Sequence, residues 1–302
     1  MTDDKPPVAA DKALATGLKA PAPGTNPPPA TSGAIHGREF ADGVHWLGGC
    51  MQAVSSDGLV HYHVSAYLVL GTEKTALVDT GDPRHWPDIA AQLDRALAGR
   101  ELDYVFPTHP ELPHAGNLPT LLERYPNARV CGDIRDYHVH YPEHAERLTP
   151  LNAGGRLDLG GRHLEAVPAY IHDLANTLWA YDSGGEVLFV SDGFSYVHDL
   201  PTIPIFGDDD PTHLPGQCEL LSGEMPVPPT VAQAAYGTGR ALYWTRFVDV
   251  TEIFGQIGSY LERTPTRFIA PAHGNVISEV PEMVATSFAA HRLVFEASRN
   301  PG

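Results

Sequence analysis

Two hydrophobic periods alternate along the chain. Gly43 to Leu47, Val64 to Leu70 and Thr75 to Val78 are short β-branched or apolar runs ended by turn residues, and they predict strands. Trp86 to Leu97 carries Ile89, Leu93 and Leu97 at helical spacing. Tyr104 to Phe106 predicts another strand, Leu118 to Tyr125 a helix and Ala128 to Cys131 a strand. The second half repeats the alternation. Strands are predicted at His163 to Val167, Thr177 to Tyr181 and Glu186 to Val190. A long amphipathic helix over Leu242 to Leu261, a strand at Phe268 to Ala270 and a terminal helix over Met283 to Phe295 follow. Grouped strands with helices between them predict an α/β fold of two packed sheets covered by helices on the outside.

Two segments break the pattern. Residues 1–35 are rich in Pro, Ala, Gly and Thr and predict a disordered or PPII-like tail, which leaves one domain over residues 36–302. Residues 198–230 are dense in Pro, Asp and Gly, with Asp208-Asp209-Asp210 in the middle. An irregular stretch of that length inside a domain reads as an insert or lid.

Charge narrows the partners. Lys plus Arg total 20 against 37 for Asp plus Glu, a formal net charge of −17. Such a surface repels nucleic acid and anionic membranes, which sets both aside as partners and leaves a homo-oligomer open. Cys50, Cys131 and Cys218 are far apart and form no C-x-x-C pair, so they are expected to be ordinary buried residues in a cytoplasmic protein. Neither a membrane span nor a signal-peptide core is legible.

Candidate chemistry sits in Thr108 to Asn117, Thr-His-Pro-Glu-Leu-Pro-His-Ala-Gly-Asn, directly after a predicted strand. His109, Glu111 and His114 share this stretch, and imidazole with carboxylate is a donor set for zinc, iron or manganese. Pro110 and Pro113 argue against a helix here. Asp79, His172, Asp192 and His273 also follow short apolar strands, three of them with glycine close behind. His61 and His63 alternate on one strand and are candidates for lining a cleft. His138, His140 and His144 read as solvated. Asp79 is expected to hydrogen-bond a ligand histidine or its own turn rather than a metal.

In these motifs the chain resembles the metallo-β-lactamase fold, and within it the β-lactamase-like domain of flavodiiron proteins. Hydrolases of the fold carry His-x-His-x-Asp-His in the ligand loop, whereas the di-iron branch carries His-x-Glu-x-Asp-His. This chain has His109-x-Glu111-x-Pro113-His114, followed by Ala115-Gly116-Asn117-Leu118-Pro119. Ile171-His172-Asp173 and Ser191-Asp192-Gly193-Phe194 resemble the branch's histidine and bridging-aspartate segments, and Ala76 to Gly81 resembles the general signature of the fold. The resemblance covers residues 38–298 and implies a metallo-β-lactamase-like αββα sandwich.

It implies a first metal on His109, Glu111, His172 and Asp192, and a second on His114, Asp192 and His273, with Asp192 bridging. Two histidines with two carboxylates suit iron, or manganese, better than zinc. Pro113 stands where the branch has an aspartate ligand, which leaves the second metal with three protein donors and room for an anionic substrate group. No flavodoxin domain is legible, so no built-in flavin is expected, and electrons would come from the substrate or an external reductase. The function so implied is O2-dependent oxidation of a small molecule at a di-iron centre, with Asp192 and Glu111 at the chemistry. The alternatives are a metal-dependent hydrolase of a thioester, lactone or phosphoester, and a protein that binds or reduces O2 or NO.

Overall fold

The computed structural model describes residues 37–55, 58–198 and 217–299. The expected tail and much of the expected insert, including Asp208 to Asp210, lie outside the described residues. Among the described residues, the first sheet holds β1 (Arg38–Ala41), β2 (Val44–Ser55), β3 (Gly58–Leu70), β4 (Thr75–Val78), β5 (Tyr104–Phe106), β6 (Arg129–Gly132) and β7 (Leu148–Pro150), side by side in chain order. β1 to β4 are antiparallel, and β4 to β7 are parallel. The second sheet holds β8 (Arg156–Asp158), β9 (His163–Pro168), β10 (Leu178–Asp182), β11 (Val187–Phe189) and β12 (Phe268–Ala270), with β11 and β12 parallel.

The helices are α1 (Trp86–Leu97), α2 (Leu112–Ala115), α3 (Leu118–Arg124), α4 (Tyr137–His140), α5 (Val231–Ala241), α6 (Thr251–Arg263) and α7 (Val280–Arg299). The period of two along each strand sorts its residues into two cores. Trp46, Tyr67, Val78 and Phe106 meet Ala166, Ala180 and Phe189 between the sheets. Their neighbours Leu47, Leu68, Leu77 and Val105 face outward onto Ile89 and Leu93 of α1 and Leu118 of α3. Trp179 and Leu188 face outward from the second sheet onto Phe254 and Ile257 of α6 and Ala290 of α7. These are the four layers expected from the sequence, and each fully buried Leu or Phe in them stabilises the fold by about 2 kcal/mol.

Three local expectations are corrected. The ligand loop is not free of helix: α2 is a single turn, and Pro113 sits in its first positions, where a missing N–H has no intrahelical partner to lose. The long helix expected over Leu242 to Leu261 is divided into a 3-10 turn at Tyr243–Arg246 and α6. Asp249 Oδ1 accepts from Thr251 N at 2.9 Å and starts the new helix, while Trp244 Nε1 donates to His172 O at 2.7 Å and holds the turn against the second sheet. Finally, α5 lies in a stretch where no helix was expected. Thr230 and Gln233 cap its start reciprocally, Gln233 N donating to Thr230 Oγ1 and Thr230 N to Gln233 Oε1.

Candidate metal centre

Strand ends bring the candidate donors together. Asp79 follows β4, His109 to His114 follow β5, Asp192 follows β11 and His273 follows β12, all at carboxyl ends of parallel pairs. The backbone is bent to aim them. Asp79 (φ 56°), Ser191 (φ 53°) and Phe194 (φ 60°) all lie in the left-handed region, which non-glycine residues enter only when the surroundings hold them there. Beside His273, Gly274 has φ 115°, and a Cβ there would meet Tyr196 O at 2.9 Å. Asn117 Nδ2 donates to the carbonyls of Thr80 and Gly81 (2.8 and 3.0 Å), locking the ligand loop to the turn after β4.

The imidazole nitrogens converge on one carboxylate. Asp192 Oδ1 lies 3.1 Å from His273 Nε2. Its Oδ2 lies 3.5 Å from His109 Nε2 and 3.7 Å from His114 Nε2. Glu111 Oε2 lies 3.8 Å from the same His109 Nε2, although its side chain is 54% exposed. The donors of His109, His114 and Asp192 lie within 4.8 Å of one another, as do those of His109, Glu111 and Asp173. His172 and His273 fall in neither group. His172 Nδ1 donates to Ala169 O at 2.9 Å, which leaves the lone pair on Nε2.

A hydroxyl network sets the orientation of the two loop histidines. His114 Nδ1 lies 3.0 Å from Asp79 Oδ2. Thr108 donates to Asp79 Oδ1 through both its N (2.7 Å) and its Oγ1 (2.8 Å). Thr108 Oγ1 lies 2.9 Å from Ser191 Oγ, which lies 3.0 Å from His109 Nδ1. A carboxylate only accepts, so one proton order satisfies every contact: His109 Nδ1–H to Ser191, Ser191 to Thr108, and Thr108 to Asp79. Both rings then carry a proton on Nδ1 and direct Nε2 into the pocket, the orientation a metal needs. Neither Thr108 nor Ser191 was singled out from the sequence; the available signal was that each directly precedes a candidate ligand.

Among the described residues, those Nε2 atoms of His109 and His114, together with Asp192 Oδ2, are buried with no hydrogen-bond partner. Each such atom costs about 1–3 kcal/mol, and a shared cation satisfies all three. Electrostatics divide the two histidines: His109 is kept neutral, whereas His114 holds a second proton that a cation would displace. Burial pushes the His109 pKa down to about 3, with the neighbouring His114 adding to the effect. Burial also opposes charge on His114, but Asp79 and Asp192 outweigh it and hold its pKa well above the usual histidine value. Asp192 is likewise buried, yet His114 and His273 keep it well below the usual carboxylate range. Asp173, 3.6 Å from His109 Nδ1, was not picked out as a candidate; burial, then the charges of Asp192 and Glu111, raise its pKa to about 6. The residues therefore fit a cation.

A model of the metallo-beta-lactamase superfamily matches residues 60–247. The chain belongs to this superfamily. Over 192 residues it is 27% identical to the coenzyme F420H(2) oxidase of Methanocaldococcus jannaschii, covering 58% of this chain and 45% of that protein. It is 27% identical over 236 residues to the anaerobic nitric oxide reductase flavorubredoxin of Klebsiella pneumoniae, covering 74% of this chain and 43% of that one. The matched region thus spans less than half the length of these curated relatives. Among solved structures, the rubredoxin oxygen:oxidoreductase of Desulfovibrio gigas superposes with a TM-score of 0.61 at 19% identity, over 87% of this chain and 61% of that one. The flavodiiron protein of Giardia intestinalis does so with a TM-score of 0.63 at 14% identity, over 86% and 59%. At these identities the likeness is one of fold, and the fold is that of the flavodiiron β-lactamase-like domain. No described helix of this superfamily member is long and apolar enough to cross a membrane.

Proposed function

We propose that this chain is a di-iron oxidoreductase that uses O2 to oxidise a small molecule bearing an anionic group such as a carboxylate. The observation that carries the reading is that two carboxylates, Glu111 and Asp192, face the same nitrogen of His109 at 3.8 and 3.5 Å. Hard oxygen donors at that position favour iron over zinc and stabilise its oxidised state. His109, Glu111, His172 and Asp192 would hold one iron, and His114, Asp192 and His273 the other. When bound, the irons would supply O2 binding and electron transfer. Relatives named coenzyme F420H(2) oxidase and anaerobic nitric oxide reductase support the oxidoreductase class.

The chain's own residues provide the rest. A cavity of about 200 Å3 opens beside His273, lined by Tyr62, Tyr196, Val197, Tyr236 and Arg240. The Arg240 guanidinium lies 3.8 Å from the centre of the Tyr236 ring and puts a positive charge on an otherwise apolar wall. An anionic substrate group would pair with Arg240 and fill the position that Pro113 leaves without a protein donor. Electrons come from the substrate or from a separate reductase.

The relatives' names support one other reading, reduction of O2 or NO driven by an external donor protein. One experiment separates the classes. The full chain, purified without added metal, is analysed for metals, reduced chemically without air, and mixed with O2 in an electrode cell. Iron near two per chain and O2 uptake that disappears in His109→Ala support the proposal. Zinc alone, no O2 uptake and turnover of a thioester or phosphoester would replace it with the hydrolase. Uptake that small carboxylates fail to stimulate, but that a donor protein sustains, favours O2 or NO reduction.

A further inference from the structure

The described residues bring a second set of metal donors together, away from the centre above. Cys50, His61, His198 and Cys218 each offer a ligand atom, and all of these atoms lie within 4.8 Å of one another. All four residues are nine-tenths buried or more: Cys50, His61 and Cys218 are 5% exposed and His198 is 3% exposed. Cys50 Sγ lies 3.1 Å from His198 Nε2, and the rings of His61 and His198 pack edge-on at 5.1 Å. Neither cysteine is in a disulfide. We propose that these residues form a closed Cys2His2 site for a structural zinc ion.

Backbone geometry builds the site from four separate places. On the β2–β3 hairpin Cys50 pairs with His63 and Gln52 with His61, so Cys50 and His61 are diagonal neighbours on one face. His198 N donates to His61 O at 3.0 Å, which brings the segment after Asp192 alongside β3. Cys218 sits in a 3-10 turn, Gln217–Glu219, fastened by Arg38 Nη1 to Glu219 O and by Asn275 Nδ2 to Leu220 O, both at 2.9 Å. Around zinc, with bonds of about 2.3 Å to sulfur and 2.0 Å to nitrogen, tetrahedral donors stand about 3.3–3.8 Å apart, within reach of the present spacing.

Two sulfurs and two imidazoles select a borderline-soft ion, and four protein donors leave no open position, so the site is structural and not catalytic. Binding forms two Zn–S and two Zn–N bonds, releases the two thiol protons and changes no oxidation state. The ion would join His198, at the start of the expected insert, and Cys218, within it, to the hairpin. It would also brace the cavity wall, because Val60 and Tyr62 flank His61 and Val197 precedes His198. This inference is independent of whether the first centre holds iron.

The test is a metal count with zinc X-ray absorption on the full chain, on Cys50→Ser/Cys218→Ser and on His109→Ala/Asp192→Ala. The expected result is one zinc per chain with two sulfur and two nitrogen neighbours, kept in the His109/Asp192 variant and lost in the cysteine variant. Should the cysteine variant fail to fold, the wild-type chain answers alone. Cobalt grown in place of zinc should give tetrahedral thiolate absorption, and alkylation of Cys50 and Cys218 should begin only once a chelator removes the ion. Zinc with nitrogen and oxygen neighbours only, a Cys50–Cys218 disulfide, or thiols that react equally with and without chelator would overturn the proposal.

Discussion

Replacing Asp79 by Asn tests how the metal centre is held without touching a proposed ligand. Asn tolerates the left-handed backbone at this position (φ 56°), so the change isolates charge and hydrogen bonding. Asp79 uses both oxygens as acceptors: Oδ1 takes Thr108 N at 2.7 Å, and Oδ2 faces His114 Nδ1 at 3.0 Å. An amide keeps one acceptor and turns the other into a donor. Either Thr108 N is then left buried and unanswered, or His114 Nδ1–H loses its charged acceptor and keeps only Thr108 Oγ1 at 3.0 Å, at a cost of about 1–3 kcal/mol. For a domain of this size that lowers Tm by about 2–4 °C per kcal/mol. The lost carboxylate also makes His114 Nε2 a weaker donor, and removing such a partner typically costs 10–100-fold in metal affinity, or about 1.4–2.7 kcal/mol. Chelator competition followed by metal counting reads the affinity, and thermal melts of metal-free protein read the folding term. If Asp79→Asn melts lower but holds metal as tightly as wild type, Asp79 serves only the fold and the network assigned to it is wrong.

Further outcomes follow from other residues. Pro113→Asp supplies the donor that the second metal lacks, and acid is favourable in the first turn of α2; it should raise metal retention under chelator and slow turnover of any substrate using that position, and unchanged retention would count against the open-position idea. His291 on α7 is 1% exposed, and burial lowers its pKa to about 4 from the ordinary 6.5. A depressed histidine pKa gives stability that is full above about pH 6.5 and lost as the pH falls toward 4, up to about 3 kcal/mol. Urea unfolding across that range should therefore show a shallower pH dependence in His291→Leu than in wild type, and parallel curves would refute it. Arg162 Nη1 reaches Asp182 Oδ2 at 3.3 Å, with Asp182 fully buried. Arg162→Leu strands that carboxylate and should cost about 3–5 kcal/mol in urea unfolding, more than Asp182→Asn, which removes the charge itself.

Much of the scaffold was legible because strands and helices write their period into nearby residues. The helix Trp86 to Leu97 and the strand Tyr104 to Phe106 match α1 and β5 to the residue. The boundaries that failed depend on single polar contacts. Trp244 reaching His172 and Asp249 accepting from Thr251 N divide a stretch whose apolar spacing alone looks continuous. The start of α5 could have been read, since Thr230-x-x-Gln233 is a capping-box pattern.

The sequence by itself determined the donor types: imidazole and carboxylate after short strands, with an acid at position 111 and a proline at 113. Local spacing suffices for that, because His109, Glu111 and His114 share one loop. Only the tertiary structure decided what those donors touch. Ser191 meets His109 across 82 positions and Thr108 meets Ser191 across 83, contacts made only when the two sheets close on each other. Cys50 and Cys218, each without a motif around it, acquire a shared chemistry for the same reason. Side-chain chemistry is local information, whereas the distance between two side chains is a property of the packed fold.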